Sequence, residues 1–269
     1  MKTIYHFSGA GNDFVVIDGR EGDVSAFREV PRIEALCKQY KTDGLMILGS
    51  GDAGVDFTME FYNPDGSGGM MCGNGGRCIV AFADYLGIKP SCHPELAEGS
   101  YLFMAPDGLH TGEILERPED GLWTVRIQMI DVQGITPMLG GYFLNTGTRH
   151  FVKFVDDVEQ VDVDAEGKAL RWNEAFAPIG TNVNFVHVAP DGLHVRTFEK
   201  GVEGETLACG TGLTACALVA HHAGVPTATP GAYRLRARQD WLSVNFTPGA
   251  DEKFTDVYLT GPARLVEIH

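Results

Sequence analysis

The sequence predicts an α+β protein of two pseudo-symmetric domains, each an antiparallel β-sheet or barrel wrapped around a central α-helix. Three observations predict it. Two glycine-rich turns, each begun by a cysteine, lead into apolar helical runs. Met71-Cys72-Gly73-Asn74-Gly75-Gly76-Arg77-Cys78 opens Ile79 to Leu86 and stops at Gly87, and Ala208-Cys209-Gly210-Thr211-Gly212 opens Leu213 to Ala223 and stops at Gly224. Segments of alternating apolar residues, the pattern of half-buried strands, surround both runs. Laying the chain on itself at an offset of 136–138 residues brings Gly11-Asn12 onto Gly147-Thr148, Gly44 near Asn182, Asn63 onto Lys200 and Cys72-Gly73 onto Cys209-Gly210. Residue identity is sparse at that offset, but order and spacing repeat. The expected halves are 1–128, carrying Cys72, and 129–262, carrying Cys209, with the tail 263–269 returning to the first.

In chain order, Thr3–Phe7 and Phe14–Ile17 read as short strands around the small-residue loop 8–13. A helix is expected over 30–40, with Ile33, Leu36 and Cys37 facing the core. The alternation of Val55, Phe57, Met59 and Phe61 gives a strand running into the turn Asn63-Pro64-Asp65-Gly66-Ser67. Residues 89–99 hold two prolines and no periodicity and read as an exposed insertion, with Cys92 and His93 incidental to function. Tyr101–Met104 and Leu109–Leu115 form a hairpin across Ala105-Pro106-Asp107-Gly108. The same six residues, APDGLH, recur at 189–194, an offset that matches no other pairing. Trp123–Met129, the stretch 144–152 around a small-residue loop, Asn182–Val186 and Leu193–Phe198 are further strands. A polar loop, 199–206, enters the second cysteine turn. Tyr233–Arg238, Trp241–Phe246 and Thr255–Leu259 read as antiparallel strands, and Arg264–Ile268 as a separate last one.

The composition narrows the function. A formal charge of −15 on 269 residues, with lysine and arginine scattered singly, argues against nucleic acid as a partner. No stretch approaches the roughly 18 apolar residues of a membrane helix, and no signal-peptide pattern opens the chain, so a cytoplasmic protein is expected. Its six cysteines should then be mostly reduced, and none shows the short paired spacing of a zinc site, so no metal is expected. Cys78 and Cys216, further along each helix, read as core. His221-His222, at the end of the second helix, reads as structural.

A thiol has a pKa of about 8.5, and a helix N-terminus raises its thiolate fraction. Inverting a carbon beside an ammonium and a carboxylate needs a base on one face and an acid on the other. One cysteine from each half, one thiolate and one thiol, supplies both. The N–H groups at Gly73, Asn74, Gly210 and Thr211 suit the α-carboxylate and the charge that develops in it. Such chemistry needs no cofactor.

The segments GAGNDF, NPDGSGGMMCGNGGRC, NTGTRH, TNVNF and FEKGVEGETLACGTG resemble the diaminopimelate epimerase family along the whole chain. The resemblance implies a pyridoxal-phosphate-independent isomerase that interconverts LL- and meso-diaminopimelate, in lysine and peptidoglycan precursor biosynthesis. It implies acid/base roles for Cys72 and Cys209, substrate contacts from Asn12, Asn63, Thr148 and Asn182, and backbone contacts from Gly73, Asn74, Gly210 and Thr211. His150 and Glu199 would set the protonation state of the thiols, Glu199 also touching substrate. Two departures from the family stand out: Thr148-Arg149 precedes the histidine where Asn-Pro is usual, and Lys200 replaces an arginine that grips the distal carboxylate. Lys200, helped by Arg149, is expected to read that carboxylate. A homodimer is compatible with the resemblance. Rival readings are a two-cysteine proline racemase or hydroxyproline epimerase, and a thiol redox protein in which the cysteines form a switchable disulfide.

Overall fold

In a computed structural model of the chain, every residue is described except 1, 53, 70, 92–95 and 97. Cys92 and His93 therefore lie outside the described residues. Contacts divide the chain into two units, residues 1–127 with 261–269 and residues 128–260.

The first unit contains β1 (Ile4–Gly9), β2 (Asn12–Asp18), α1 (Val30–Tyr40), β3 (Gly44–Ser50), β4 (Phe57–Tyr62), α2 (Gly73–Tyr85), β5 (Ser100–Ala105), β6 (Gly108–Glu119) and β7 (Leu122–Gln128). β1 and β2 pair down to Gly9 opposite Asn12, leaving only Ala10 and Gly11 to turn, at φ 57° and 91°. Both lie in the left-handed region that a two-residue hairpin requires, so the loop expected over 8–13 is a tight turn. β2 runs parallel to β3, with Phe14 beside Gly44, and β3 pairs antiparallel with β4, with Met46 opposite Phe61. β4 runs parallel to β5, and β6 pairs with both β5 and β7. Residues 261–264 of the last strand pair with β7 and residues 264–268 with β1, which closes the ladder into a barrel.

Helix α2 is buried from Gly73 to Ala83 and packs on β1, β2, β3 and β6. Ile79, Val80 and Phe82 are wholly buried, each contributing about 1.5–3 kcal/mol relative to exposure. Gly112 on β6 lets the helix approach, since a Cβ there would stand 2.6 Å from Val80 Cγ2. The helix ends as the sequence indicates: Gly87 takes φ 75°, and Ile88 N–H donates to Ala83 O at 3.0 Å.

The second unit contains β8 (Val132–Gln133), β9 (Thr136–Met138), β10 (Gly141–Asn145), β11 (Arg149–Phe154), α3 (Val163–Arg171), β12 (Asn182–Ala189), β13 (Gly192–Glu199), β14 (Gly204–Thr206), α4 (Gly210–His222), β15 (Ala232–Arg236), β16 (Trp241–Pro248) and the first part of β17 (Lys253–Ile268), whose residues from 261 onward belong to the first unit. The pairing pattern of the first unit recurs. β10 and β11 form a hairpin, β11 runs parallel to β12 with His150 beside Asn182, and β12 pairs antiparallel with β13 with Asn184 opposite Thr197. β13 runs parallel to β15, β15 pairs with β16 and β16 with β17, whose start pairs with β8. β9 pairs with β10. Helix α4 is buried along most of its length and ends like α2, with Gly224 at φ 70° and Val225 N–H donating to Ala220 O at 2.9 Å. Each sheet is thus mixed, with two parallel pairings in an otherwise antiparallel ladder.

Three expectations change. The tail strand is the end of one 16-residue strand, β17, which runs through Gly261-Pro262 without a break. The polar loop 199–206 contains the short strand β14 paired to β13. Helix α3 is additional; Asp162 caps it by accepting from Ala165 N–H at 3.0 Å. Both APDGLH copies form two-residue hairpin turns, one joining β5 to β6 and the other β12 to β13. Cys37, Cys78 and Cys216 are buried, and burial pushes the Cys78 and Cys216 thiols up. His222 pairs with Glu252 at 2.8 Å, and His221 lies edge-on to Phe246 and Phe254, so both close the end of α4.

Candidate active site

Each cysteine is the extended residue just before its helix. Cys72 has φ −103° and ψ 150°, and Cys209 φ −121° and ψ 108°; the carbonyl of each accepts the first intrahelical bond, from Gly76 and Leu213, both at 2.8 Å. The N–H groups of a helix's first turn, here Gly73 and Asn74 or Gly210 and Thr211, point out past its N-terminal end, where an anion is favoured.

The two turns hold their sulfurs differently. In the first unit Gly75 N–H donates to Cys72 Sγ at 3.2 Å. Asn74 Nδ2 donates to Asn12 Oδ1, and Asn12 Nδ2 donates to Asp43 Oδ2 at 3.2 Å. Behind them lies Arg77, wholly buried, donating from Nη2 to Asn74 Oδ1 at 2.8 Å, from Nη1 to Gly73 O at 3.1 Å and from Nε to Pro262 O at 3.3 Å. Asn63 closes its own turn, its N–H to Ser67 O at 2.9 Å and its Nδ2 to Ser67 Oγ at 3.0 Å.

In the second unit a hydroxyl stands beside the sulfur, with Thr211 Oγ1 3.5 Å from Cys209 Sγ. Thr211 Oγ1 lies 3.1 Å from Thr148 Oγ1 and 3.0 Å from His150 Nε2, and Thr148 Oγ1 lies 2.9 Å from that nitrogen. Asn182 Nδ2 donates to Arg149 O at 3.0 Å and more weakly to Thr148 Oγ1 at 3.4 Å, while Asn182 Oδ1 accepts Lys200 N–H at 2.8 Å. Glu199 Oε2 accepts from Thr206 Oγ1 at 3.0 Å, and the Lys200 side chain is exposed.

The internal repeat extends to these contacts. Asn12 and Asn74 in the first unit correspond to Thr148 and Thr211 in the second, and in both units the loop residue bonds side chain to side chain with the helix residue.

Within the first unit the residues expected to act, Cys72, Gly73, Asn74 and Asn12, are brought together. Within the second, Cys209, Gly210, Thr211, Thr148, His150 and Asn182 are joined by hydrogen bonds or by sequence. His150 is wholly buried, and burial pushes its pKa down to about 3, which keeps the ring neutral. Arg149 Nη1 donates to Phe176 O at 3.2 Å, and the guanidinium lies over the Phe143 ring at 5.0 Å. Arg77, Asn184 and Thr197 were not singled out from the sequence. The available signals were a polar residue inside an apolar strand and an arginine on the buried run of a helix.

A sequence profile of the diaminopimelate epimerase family matches residues 4–105 and 142–266, a span that includes both cysteine turns and the loops bonded to them. The chain belongs to the diaminopimelate epimerase family. It is therefore an isomerase of the epimerase class. Curated diaminopimelate epimerases similar to it include that of Chlorobaculum tepidum, 39% identical over 268 residues and covering 96% of this chain and 97% of the relative. That of Flavobacterium psychrophilum is 36% identical, with 98% and 97% covered. Among solved structures, a PhzF-family phenazine biosynthesis protein from Bacillus anthracis shares the fold at TM-score 0.76 and 11% identity, covering 100% of this chain and 98% of that one. A hydroxyproline epimerase from Agrobacterium vitis does so at 0.65 and 16%, with 100% and 91% covered. Among the described residues no helix is long and apolar enough to cross a membrane, and no cluster of three or more His, Cys, Asp or Glu side chains could hold a metal ion.

Proposed function

We propose that this member of the diaminopimelate epimerase family interconverts LL- and meso-2,6-diaminopimelate without a cofactor, Cys72 and Cys209 acting on opposite faces of one α-carbon. One sulfur, as thiolate, takes the α-proton; the other, as thiol, delivers a proton to the opposite face. The first leaves as thiol and the second as thiolate, so the reverse reaction exchanges their roles. The N–H groups of Gly73, Asn74, Gly210 and Thr211 receive the α-carboxylate and stabilise the charge that spreads into it. Asn12, Asn63, Thr148 and Asn182 orient the substrate, Glu199 and neutral His150 act on the thiols' surroundings, and Lys200 meets the distal carboxylate.

One observation carries this reading: each cysteine occupies the same place at the start of a buried helix, in units whose ladders repeat in the same order. A general acid and its matching base need that equivalence, because each must serve as the other in reverse. A cytoplasmic role in supplying lysine and peptidoglycan precursors belongs to the same reading, as does the assignment of 1–128 and 129–262 as two epimerase halves.

The test is exchange of the α-proton of LL- and meso-diaminopimelate in deuterated water, with wild type, Cys72→Ser and Cys209→Ser. Wild type should exchange both isomers, and each variant should lose epimerisation. Turnover of proline instead of diaminopimelate, or unchanged epimerisation in either variant, would overturn the reading.

A further inference from the structure

The ladder registers place three residue pairs in correspondence beneath the two cysteine turns. Phe14, Met46 and Phe61 in the first unit stand where His150, Asn184 and Thr197 stand in the second. The first trio is apolar, and the Phe14 and Phe61 rings lie 6.1 Å apart. The second is polar and buried, with relative exposures of 0%, 0% and 4% for His150, Asn184 and Thr197. Polar groups in such a place are costly unless each is paired. Every one of these is paired, and the pairing has a direction.

The direction starts from a backbone carbonyl, which can only accept. Phe151 O accepts from Asn184 Nδ2 at 3.1 Å, and this fixes which end of the Asn184 amide carries its hydrogens. Asn184 Oδ1, at the other end, accepts from Thr197 Oγ1 at 3.0 Å. The same Nδ2 lies 3.1 Å from His150 Nδ1, so Nδ1 is an acceptor and the ring's proton sits on Nε2. Nε2–H faces the hydroxyls of Thr148 and Thr211. Asn182 Nδ2 also donates into the Thr148 oxygen. His150 Nε2–H and, more weakly, Asn182 Nδ2 thus donate toward the threonine pair, and Thr211 Oγ1 lies 3.5 Å from Cys209 Sγ, within reach of its hydroxyl proton. Gly212 makes room for this chain, since a Cβ there would stand 2.4 Å from Asn184 Oδ1 and 3.3 Å from His150 Cε1.

We infer that Asn184, backed by Thr197, is a positioning residue that holds His150 in its Nε2–H tautomer and so directs the Thr211 hydroxyl proton onto the sulfur of Cys209. In the first unit Phe14 and Met46 occupy the same ladder positions, and Gly75 N–H donates to Cys72 Sγ. The two sulfurs thus have different neighbours at these positions, a peptide N–H beside Cys72 and a hydroxyl beside Cys209. The inference rests on the proposed role of Cys209, but the tautomer it requires can be read without any substrate.

The experiment has two arms on the full-length protein. In the first, the imidazole nitrogens of ¹⁵N-histidine-labelled protein are recorded by NMR, His150 being identified by its loss in His150→Gln. Wild type should show a neutral ring protonated at Nε2, and Asn184→Met, which copies the residue of the first unit, should lose that single tautomer. In the second, Asn184→Met and Thr211→Val are each expected to lower kcat for diaminopimelate by about 10- to 100-fold with KM changed by less than about 3-fold. The double variant should be no slower than the worse single one, because both break the same chain. Thr211→Ser should restore most of the Thr211→Val loss. A proton on Nδ1 or an imidazolium in wild type would overturn the inference, as would losses that multiply in the double variant. If wild type turned over no diaminopimelate, the proposed function would fall while the tautomer result stood or fell by itself.

Discussion

Arg77 donates from Nη2 to Asn74 Oδ1 at 2.8 Å, and this turns the amide nitrogen of Asn74 toward Asn12 Oδ1. A wholly buried guanidinium is an expensive way to orient one amide, and its other donors fill the Gly73 and Pro262 carbonyls. Pro262 lies in β17, so Arg77 also ties the start of α2 to the strand that closes the first barrel. Arg77→Met should remove a donor from three acceptors, two of them buried, and lower the unfolding free energy by about 2–4 kcal/mol. Urea denaturation measures this. Arg77→Lys keeps the charge without the fork and should recover only part of the loss.

The buried neutral ring of His150 makes stability depend on acid. In the unfolded chain the ring takes a proton near pH 6.5, whereas in the folded protein burial holds the pKa at about 3. Below 6.5 the unfolded state binds the extra proton, so the contribution of this group is fully present above 6.5 and is lost as pH falls toward 3. The slope reaches at most about 1.4 kcal/mol per pH unit. His150→Gln should flatten the stability profile over that interval and leave it unchanged between pH 7 and 8. Chemical denaturation at a series of pH values decides the matter, and equal slopes for the two proteins would contradict it.

The helices α2 and α4 were legible because strong local signals bound them at both ends. A cysteine-glycine turn starts each, and a glycine at positive φ ends each, at Gly87 and Gly224. The repeat offset was legible because the ladder registers keep it: Phe14 beside Gly44 corresponds to His150 beside Asn182. What was hidden depended on contacts distant in sequence. Gly167 inside α3 weakens the helical pattern, yet a Cβ there would lie 2.4 Å from Phe198 Cβ, so packing against β13 requires the glycine that propensity penalises. Gly261-Pro262 looks like a strand end, yet β17 runs through it because both residues pair with β7. Asn184 reads as an ordinary member of TNVNF. Its role emerges only when the parallel pairing of β11 and β12 brings it to His150.

Gly75 and Gly212 hold the same place in the two turns, but alanine should affect them unequally. A Cβ at Gly75 would lie 3.3 Å from Cys72 Sγ and 3.4 Å from Met46 Sδ, and the thioether can yield. At Gly212 it would lie 2.4 Å from an Asn184 oxygen that is already fixed by Thr197. Gly75→Ala should keep most of the activity, helped by the better helix propensity of alanine, about 1 kcal/mol. Gly212→Ala should lose at least about 10-fold in kcat, as expected when a catalytic group is displaced. Steady-state rates of the two purified variants give the comparison.

Under the proposed function, Lys200 meets the distal carboxylate of diaminopimelate, and the structure gives it a defined base. Its N–H is held by Asn182 Oδ1 at 2.8 Å, while its side chain stays exposed. Arg149 Nη1 donates to Phe176 O and its guanidinium lies over the Phe143 ring. A lysine acts as a point charge and lacks the two-pronged fit of an arginine, so the contact should add binding equally in the ground and transition states. Lys200→Met is accordingly expected to raise KM for diaminopimelate by about 5- to 20-fold with kcat nearly unchanged. Lys200→Arg should lower KM below that of wild type if the fork can reach the carboxylate. An unchanged KM in Lys200→Met would remove Lys200 from the site and leave the distal carboxylate to other residues.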